Sequence, residues 1–186
     1  MGVFQRIEIE GKQGGLMFYL EDTYMVVIKE STHADIKDIQ RLWADEDVMK
    51  YIWPGGLHET EDAVREWLDR LISAKPKQNQ YSIFEDGKYC GETYYGIDET
   101  TRSAALDIKL FEFARGRGIS TQALEYSIKE AFKNGAETLW VDPHPDNTKA
   151  ISLYQRLGFI QKEMPKHVIA MGEDPDRYVY MELRKE

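Results

Sequence analysis

The stretch from Arg115 to Phe159 constrains this chain more than any other. It opens with R-G-R-G-I-S (Arg115–Ser120), a two-glycine turn that feeds a long helical pattern. It closes with N-T-K-A-I-S-L-Y-Q-R-L-G-F (Asn147–Phe159), which reads as a second, shorter helix. The first amides of a helix have no intrahelical acceptor and lie at the positive end of the helix dipole. A glycine turn that presents them to solvent suits a phosphate or diphosphate. Such a turn alone is weak evidence, because most are only tight loops. Here it is joined by Asn147, Ala150, Tyr154 and Gly158-Phe159, at fixed spacing behind the short apolar strand T-L-W-V (Thr138–Val141).

The bulk properties narrow the class. A chain of 186 residues fits one domain, taken here as 1–186, and is long enough to bury a substantial core. No apolar run approaches the ~20 residues of a membrane span, and no basic-then-apolar secretion signal opens the chain. Met1-Gly2 is not followed by the Ser or Thr of a myristoylation motif, since Arg6 stands there. A single Cys90 cannot form an internal disulfide, so a reducing cytoplasm is the expected setting. The net charge of −9 argues against nucleic acid or an anionic membrane as partner and favours a cationic or neutral substrate.

Periodicity and capping signals predict the elements. Residues 1–23 read as a hairpin and Tyr24–Lys29 as a strand. Thr32, with Asp35 three residues on, predicts a helix burying Ile36, Ile39, Leu42 and Trp43, ended by D-E-D-V-M-K-Y (Asp45–Tyr51). Trp53–Gly56 is a loop. A second helix from Thr60 buries Val64, Trp67, Leu68, Leu71 and Ile72 and stops before Pro76. Tyr81–Glu85 and Tyr89–Asp98 form a hairpin about Asp86–Lys88, and Ala104–Phe111 follows as a strand. After the glycine turn come a helix to Lys133, strand Thr138–Val141, the rigid turn Asp142–Asp146, and a helix capped by Asn147. Strands near Phe159–Glu163 and Arg177–Leu183 flank a loop rich in Gly, Asp and Pro.

This order, with the two motifs above, resembles the GNAT N-acetyltransferase superfamily over nearly the whole chain. The resemblance implies an α/β (α+β) fold: a central mixed, mostly antiparallel sheet flanked by helices. Two subfamily likenesses compete. D-E-D-V-M-K-Y is similar to the ribosomal-protein N-terminal acetyltransferases. V-D-P-H-P-D-N-x-x-A-I-x-x-Y-x-x-x-G-F, with M-P-K-H and Y-V-Y-M-E-L, is more similar to aminoglycoside 6′-N-acetyltransferases, and its Asp-Pro-His turn is the less generic signal.

The resemblance implies acetyl-CoA as co-substrate, no metal, and direct attack of a neutral primary amine in a ternary complex. Asp107 is the implied base or amine-holding residue; strand alternation sets it on one face with Ala105 and Lys109, and a surface ion pair with Lys109 or Arg102 is the alternative. Tyr154 is the implied acid for the leaving thiolate, or an aromatic packing its helix onto the sheet. Arg115, Gly116, Arg117, Gly118, Ile119 and Ser120 are expected to cradle the diphosphate through main-chain amides. Arg115, Arg117 and Lys149 are expected to supply local positive charge. Asn147 and the Leu110 backbone are expected at the pantetheine arm. Trp53, Glu92, Tyr94, Tyr95 and Asp142 are candidates to shape the acceptor pocket. The four histidines show no metal-ligand spacing. The leading acceptor is a small polycationic amine of the amino-sugar type, which links the chain to antibiotic resistance. Protein N-termini, polyamines and a non-catalytic acyl-CoA sensor are the alternatives, and a homodimer stays open.

Overall fold

The computed structural model describes residues 16–19 and 25–185. Its backbone is one eight-stranded sheet in the order β1-β2-β3-β4-β5-β6-β8-β7. The strands are β1 (Leu16–Tyr19), β2 (Met25–Glu30), β3 (Gln78–Glu85), β4 (Lys88–Ile97), β5 (Ser103–Leu110), β6 (Thr138–Val141), β7 (Ile160–Gln161) and β8 (Met181–Arg184). Every neighbouring pair is antiparallel except β5 and β6, which run parallel and are joined by a helix. A parallel pair needs such a crossover, whereas β3 and β4 turn directly through Asp86-Gly87, both at positive φ.

Helices cover both faces. On one side, α1 (Ile36–Ala44) and α3 (Glu61–Ser73) pack Ile36, Ile39, Leu42, Val64 and Leu68 against Tyr89 and Phe111 of the sheet. Trp43 meets Trp67 edge-on, with centroids 4.7 Å apart. On the other, α4 (Ile119–Lys133) buries Ile119, Ala123 and Leu124, and α5 (Thr148–Arg156) buries Leu153 and Tyr154. Each fully buried aliphatic side chain contributes roughly 1.5–3 kcal/mol by leaving water, so these two layers hold the sheet from both sides. Among the described residues, no helix is long and apolar enough to cross a membrane.

Several sequence expectations shift. The hairpin predicted over 1–23 lies mostly outside the described residues, but Leu16–Tyr19 pairs with β2. The Asp35 carboxylate accepts from the Thr32 amide (2.8 Å) and hydroxyl (3.1 Å), yet this cap starts a 3-10 turn before α1. Asp45 does not simply end that unit. Its carboxylate caps a further turn, α2 (Glu46–Met49), by accepting from the amides of Asp47 and Val48. Ile72 is 40% exposed, because the helix face buried at Val64, Leu68 and Leu71 has rotated past it. The loop before β8 contains a short helix, α6 (Lys166–Ala170), whose Val168 is buried with Trp140, Met164 and Tyr180. Its five residues give too little periodicity to be read from sequence.

A β-bulge at Cys90 shapes the centre of the sheet: Ile83 pairs with Gly91 and Phe84 with Tyr89. Gly91, at φ +153°, lies so close to β5 that a Cβ there would stand 2.0 Å from the Lys109 carbonyl oxygen. We expect Gly91→Ala to lower stability by at least about 2 kcal/mol, because β5 backbone cannot yield as a flexible side chain could. Chemical denaturation measures this; a change inside error would mean the bulge relaxes freely.

Candidate active site

The parallel ladder between β5 and β6 holds for three residue pairs, Ser103–Ala105 with Thr138–Trp140. Beyond Ala105 the two strands part and a cleft of about 140 Å³ opens. Leu106, Asp107 and Ile108 line one side, Val141, Asp142 and Pro143 the other, and Ala150, Leu153 and Tyr154 of α5 stand below. Phe111 N–H donates to the Cys90 carbonyl at 3.0 Å, which fixes the hydrogen-bonding phase of the antiparallel β4–β5 ladder. By alternation, residues 105, 107 and 109 turn their main chain to β4, and Leu106 and Ile108 turn theirs to the open side. Two residues therefore offer amide and carbonyl groups to an extended ligand.

The glycine turn lies at the far end of β5. Gly116 and Gly118 have φ of +75° and +79°, and a Cβ on either would meet nothing within 4 Å. These glycines are there for backbone conformation, and the space above them is open. Gly118 caps α4 without any side-chain bond, and the first intrahelical donor reaching it is Gln122 N–H at 3.2 Å. The amides of Ile119, Ser120 and Thr121 are thus left without intrahelical acceptors at a fifteen-residue helix. An open strand edge along β5 and an uncapped helix start at its far end fit a coenzyme with an amide-bearing arm and a diphosphate.

The basic side chains do not gather there as expected. Arg115 donates to the Leu110 carbonyl through Nε (3.0 Å) and Nη2 (2.8 Å), and to Asp47 through Nη1 (2.5 Å). Arg117 makes a two-pronged pair with Glu85 (2.8 and 2.6 Å). Both guanidinium groups are engaged by carboxylates, and the donors the turn presents are main-chain amides. The Leu110 carbonyl is correspondingly occupied, and Ile108 and Leu106 take over as the open backbone positions. Lys149 stands exposed in the first turn of α5, and Asn147 caps that helix by accepting from Ala150 N–H at 3.2 Å.

Titratable groups crowd the cleft. The Asp107 side chain is 40% exposed and pairs with the Lys109 ammonium, the alternative that the sequence raised; Arg102 pairs with Glu137 at 2.6 Å instead. Burial, the neighbouring Glu173 and Asp107 push the Asp142 carboxyl up to about 8. Burial pushes the Tyr154 phenol well above its ordinary range, with Asp107 and Asp142 adding to the effect. Its hydroxyl makes no hydrogen bond among the described residues, although its ring packs on Phe159 with centroids 5.7 Å apart. Tyr154 packs α5 onto the sheet, the second of the two readings, and its side chain also lines the cleft. His144 stacks on Tyr51 at 5.4 Å and accepts from Asp146 N–H through Nδ1 at 3.2 Å, which leaves the proton of the neutral ring on Nε2.

The acceptor-pocket expectations divide. Asp142 lines the cleft. Tyr94 lies opposite Asp107 across the β4–β5 ladder, its phenol raised to about 12 by burial and by Asp107. Trp53 is 60% exposed on its loop. Two expectations are corrected. Glu92 is only 2% exposed and does not face the cleft; α1 covers it, and it accepts from Trp43 Nε1 at 2.8 Å. Tyr95 is fully buried in the core and bonds the Pro76 carbonyl, because adjacent strand residues point to opposite faces. Tyr51, Ile52 and His144 line the cleft and Glu173 adjoins it through Asp142; Tyr51 and His144 lie in the D-E-D-V-M-K-Y segment and the Asp-Pro-His turn, but none of the four was among the expected site residues.

The Asp142 environment has a measurable consequence. Its unfolded pKa is about 3.9, well below the folded value, so the native protein keeps a proton that the unfolded chain releases. The contribution is fully present below about pH 4 and is lost as pH rises through about 8. Thermal midpoints measured against pH should therefore fall more steeply over that window in the wild type than in Asp142→Asn. Parallel curves would refute the assignment.

Comparison with known proteins agrees with this geometry. Residues 26–160 match the acetyltransferase (GNAT) domain model. The chain is 32% identical over 160 residues to N-alpha-acetyltransferase 30 of Schizosaccharomyces pombe, covering 83% of this chain and 97% of that protein. It is 35% identical to the Arabidopsis thaliana N-alpha-acetyltransferase MAK3 over 63 residues, 34% of this chain and 33% of that one. The crystal structure of spermidine N-acetyltransferase from Vibrio cholerae in complex with CoA and spermine has the same fold, with a TM-score of 0.70 at 17% identity, over 86% of this chain and 95% of that one. With the split sheet, the uncapped helix start and these matches together, the chain belongs to the GNAT family and is an acetyl-CoA-dependent N-acetyltransferase.

Proposed function

We propose that the acceptor is a small polycationic amine of the amino-sugar type, acetylated at a primary amine by direct attack in a ternary complex. The observation that carries this reading is the carboxyl cluster at the cleft: Asp107, Asp142 and, beside Asp142, Glu173. One ammonium needs one carboxylate. Three carboxyl groups, one of them raised to about 8 by burial and by neighbouring carboxyls, suit an acceptor with several charges. The net charge of −9 has the same sense, favouring cationic acceptors over nucleic acid. The likeness of the Asp-Pro-His turn region to aminoglycoside 6′-N-acetyltransferases supports an amino sugar, and antibiotic modification in the cytoplasm follows from it.

Bound acetyl-CoA supplies the activated acetyl group. The chain's residues do the rest. Leu106 and Ile108 hold the amide arm through their main chain, and the amides at Ile119–Thr121 hold the diphosphate. Asp107 orients the acceptor ammonium and takes its proton, directly or through water, since an ammonium has no lone pair. Tyr154 keeps its phenolic proton at Oη, available to the departing thiolate. Asp142 and Glu173 hold the acceptor's remaining charge.

A second reading, acetylation of a protein N-terminus, is favoured by the fission yeast relative, named for that activity. Free-thiol release from acetyl-CoA with kanamycin-type amino sugars, spermidine and short peptides separates the two. Release with amino sugars supports the lead, release with peptides alone replaces it, and coenzyme binding without release from any amine indicates a sensor. Asp107→Asn should lower kcat by about 100-fold or more while leaving acetyl-CoA affinity unchanged. Tyr154→Phe should lower kcat too, and full activity across pH would remove the acid role.

A further inference from the structure

The face of β4 and β5 that carries Asp107 holds a chain of charges that the reaction as described leaves unused. Glu92 sits directly across the ladder from Lys109, and Tyr94 directly across from Asp107. The four side chains share one face by strand alternation. The Lys109 ammonium pairs with Asp107 and lies 3.5 Å from Glu92 Oε1. Glu92 Oε1 also accepts from Trp43 Nε1, while Oε2 is buried without a hydrogen-bond partner among the described residues. Trp43 is in turn fixed by its edge-on contact with Trp67.

We infer that Lys109 is a positioning residue, an ammonium shared between Glu92 and Asp107 that fixes the Asp107 carboxylate at the cleft. The inference rests on the reading that Asp107 takes the acceptor's proton. A side chain 40% exposed at a cleft mouth has rotamer freedom, and a cation anchored from behind removes it. The ammonium holds Oδ2 and leaves Oδ1 to the acceptor. Lys109 itself is only 13% exposed, and a buried cation needs such partners to remain charged. Burial opposes its charge, but the two carboxylates outweigh that cost and raise its pKa, so it stays an ammonium. Glu92 holds the ammonium in place and competes for it. Its carboxyl is raised chiefly by burial, with Lys109 acting the other way.

The other titratable groups around this chain are Tyr89 beside Glu92, Tyr94 on β4, Tyr154 on α5, and Asp142 with Glu173. None of these is a cation at neutral pH, so their charges cannot substitute for Lys109. Changing Lys109 or, behind it, Glu92 should therefore move Asp107 in opposite directions. Removing the ammonium makes Asp107 easier to protonate; removing the competing carboxylate makes it harder.

The test is a carbon-13 NMR titration of the Asp107 carboxyl, assigned by its loss in Asp107→Asn, in wild type, Lys109→Met, Lys109→Arg and Glu92→Gln. The midpoint is expected to rise in Lys109→Met, to stay close to wild type in Lys109→Arg, and to fall in Glu92→Gln. The acid limb of kcat/KM, read by thiol release, should move with the same signs. Glu92→Gln keeps an oxygen for the Trp43 indole, so it remains informative if Lys109→Met does not fold. Unchanged midpoints, or shifts of one sign in both variants, would overturn the inference. So would midpoints that move while the acid limb stays. Failure of the underlying function reads differently: Asp107→Asn then retains wild-type turnover whatever the midpoints do.

Discussion

The candidate active site depends on where β5 and β6 stop being hydrogen-bonded. Three parallel pairs hold them together, and the next residues separate. A closed sheet would satisfy the backbone of Leu106 and Ile108 internally and leave no room for an extended ligand. The opening is supported from both sides. The Gly91 bulge presses β4 against Lys109 and Leu110, and Arg115 holds the Leu110 carbonyl where β5 ends. Below, Leu153 and Tyr154 close the floor from α5.

The second organising feature is the unequal treatment of charge on the two sides of β5. At the glycine turn, Arg115 and Arg117 are engaged with Asp47 and Glu85, and the first amides of α4 carry no side-chain cap. On the proposed reading, a chain of net charge −9 would hold an anionic coenzyme through dipoles fixed by the fold. At the acceptor end, carboxyl groups dominate, and Asp142 holds its proton near neutrality because burial and Glu173 leave it no better state. A cationic acceptor entering this cleft meets acid on several sides, while Lys109 stays behind Asp107.

Much of the fold was legible in the chain. Asn147 caps the helix it was expected to cap, accepting from the Ala150 amide, and the helix expected to start near Thr60 does so, with the Thr60 hydroxyl accepting from the Ala63 amide. The strand boundaries of β3 to β6 fall within about three residues of the turn signals. Short elements were not legible: α2 and α6 have four and five residues, too few for a periodic signal. At the site, Tyr95 was misplaced by strand alternation, while Glu92 and Glu173 depended on distant packing. Glu92 sits on a strand among polar and aromatic residues and reads as a pocket residue, but α1, some fifty positions away, lies over it. Glu173 reads as part of a polar loop and is brought to Asp142 by the fold.

The sequence alone determined what local backbone chemistry can dictate. Two glycines at positive φ and an uncapped helix start are encoded within six residues, Arg115–Ser120, and the capped α5 with its tyrosine within eight more. Strand alternation placed Asp107 and Lys109 on one face. Only the tertiary structure decided which charges are buried, paired or left to meet a ligand. Burial and pairing depend on what packs across the sheet, and contacts between residues far apart in the chain leave no periodic trace in it.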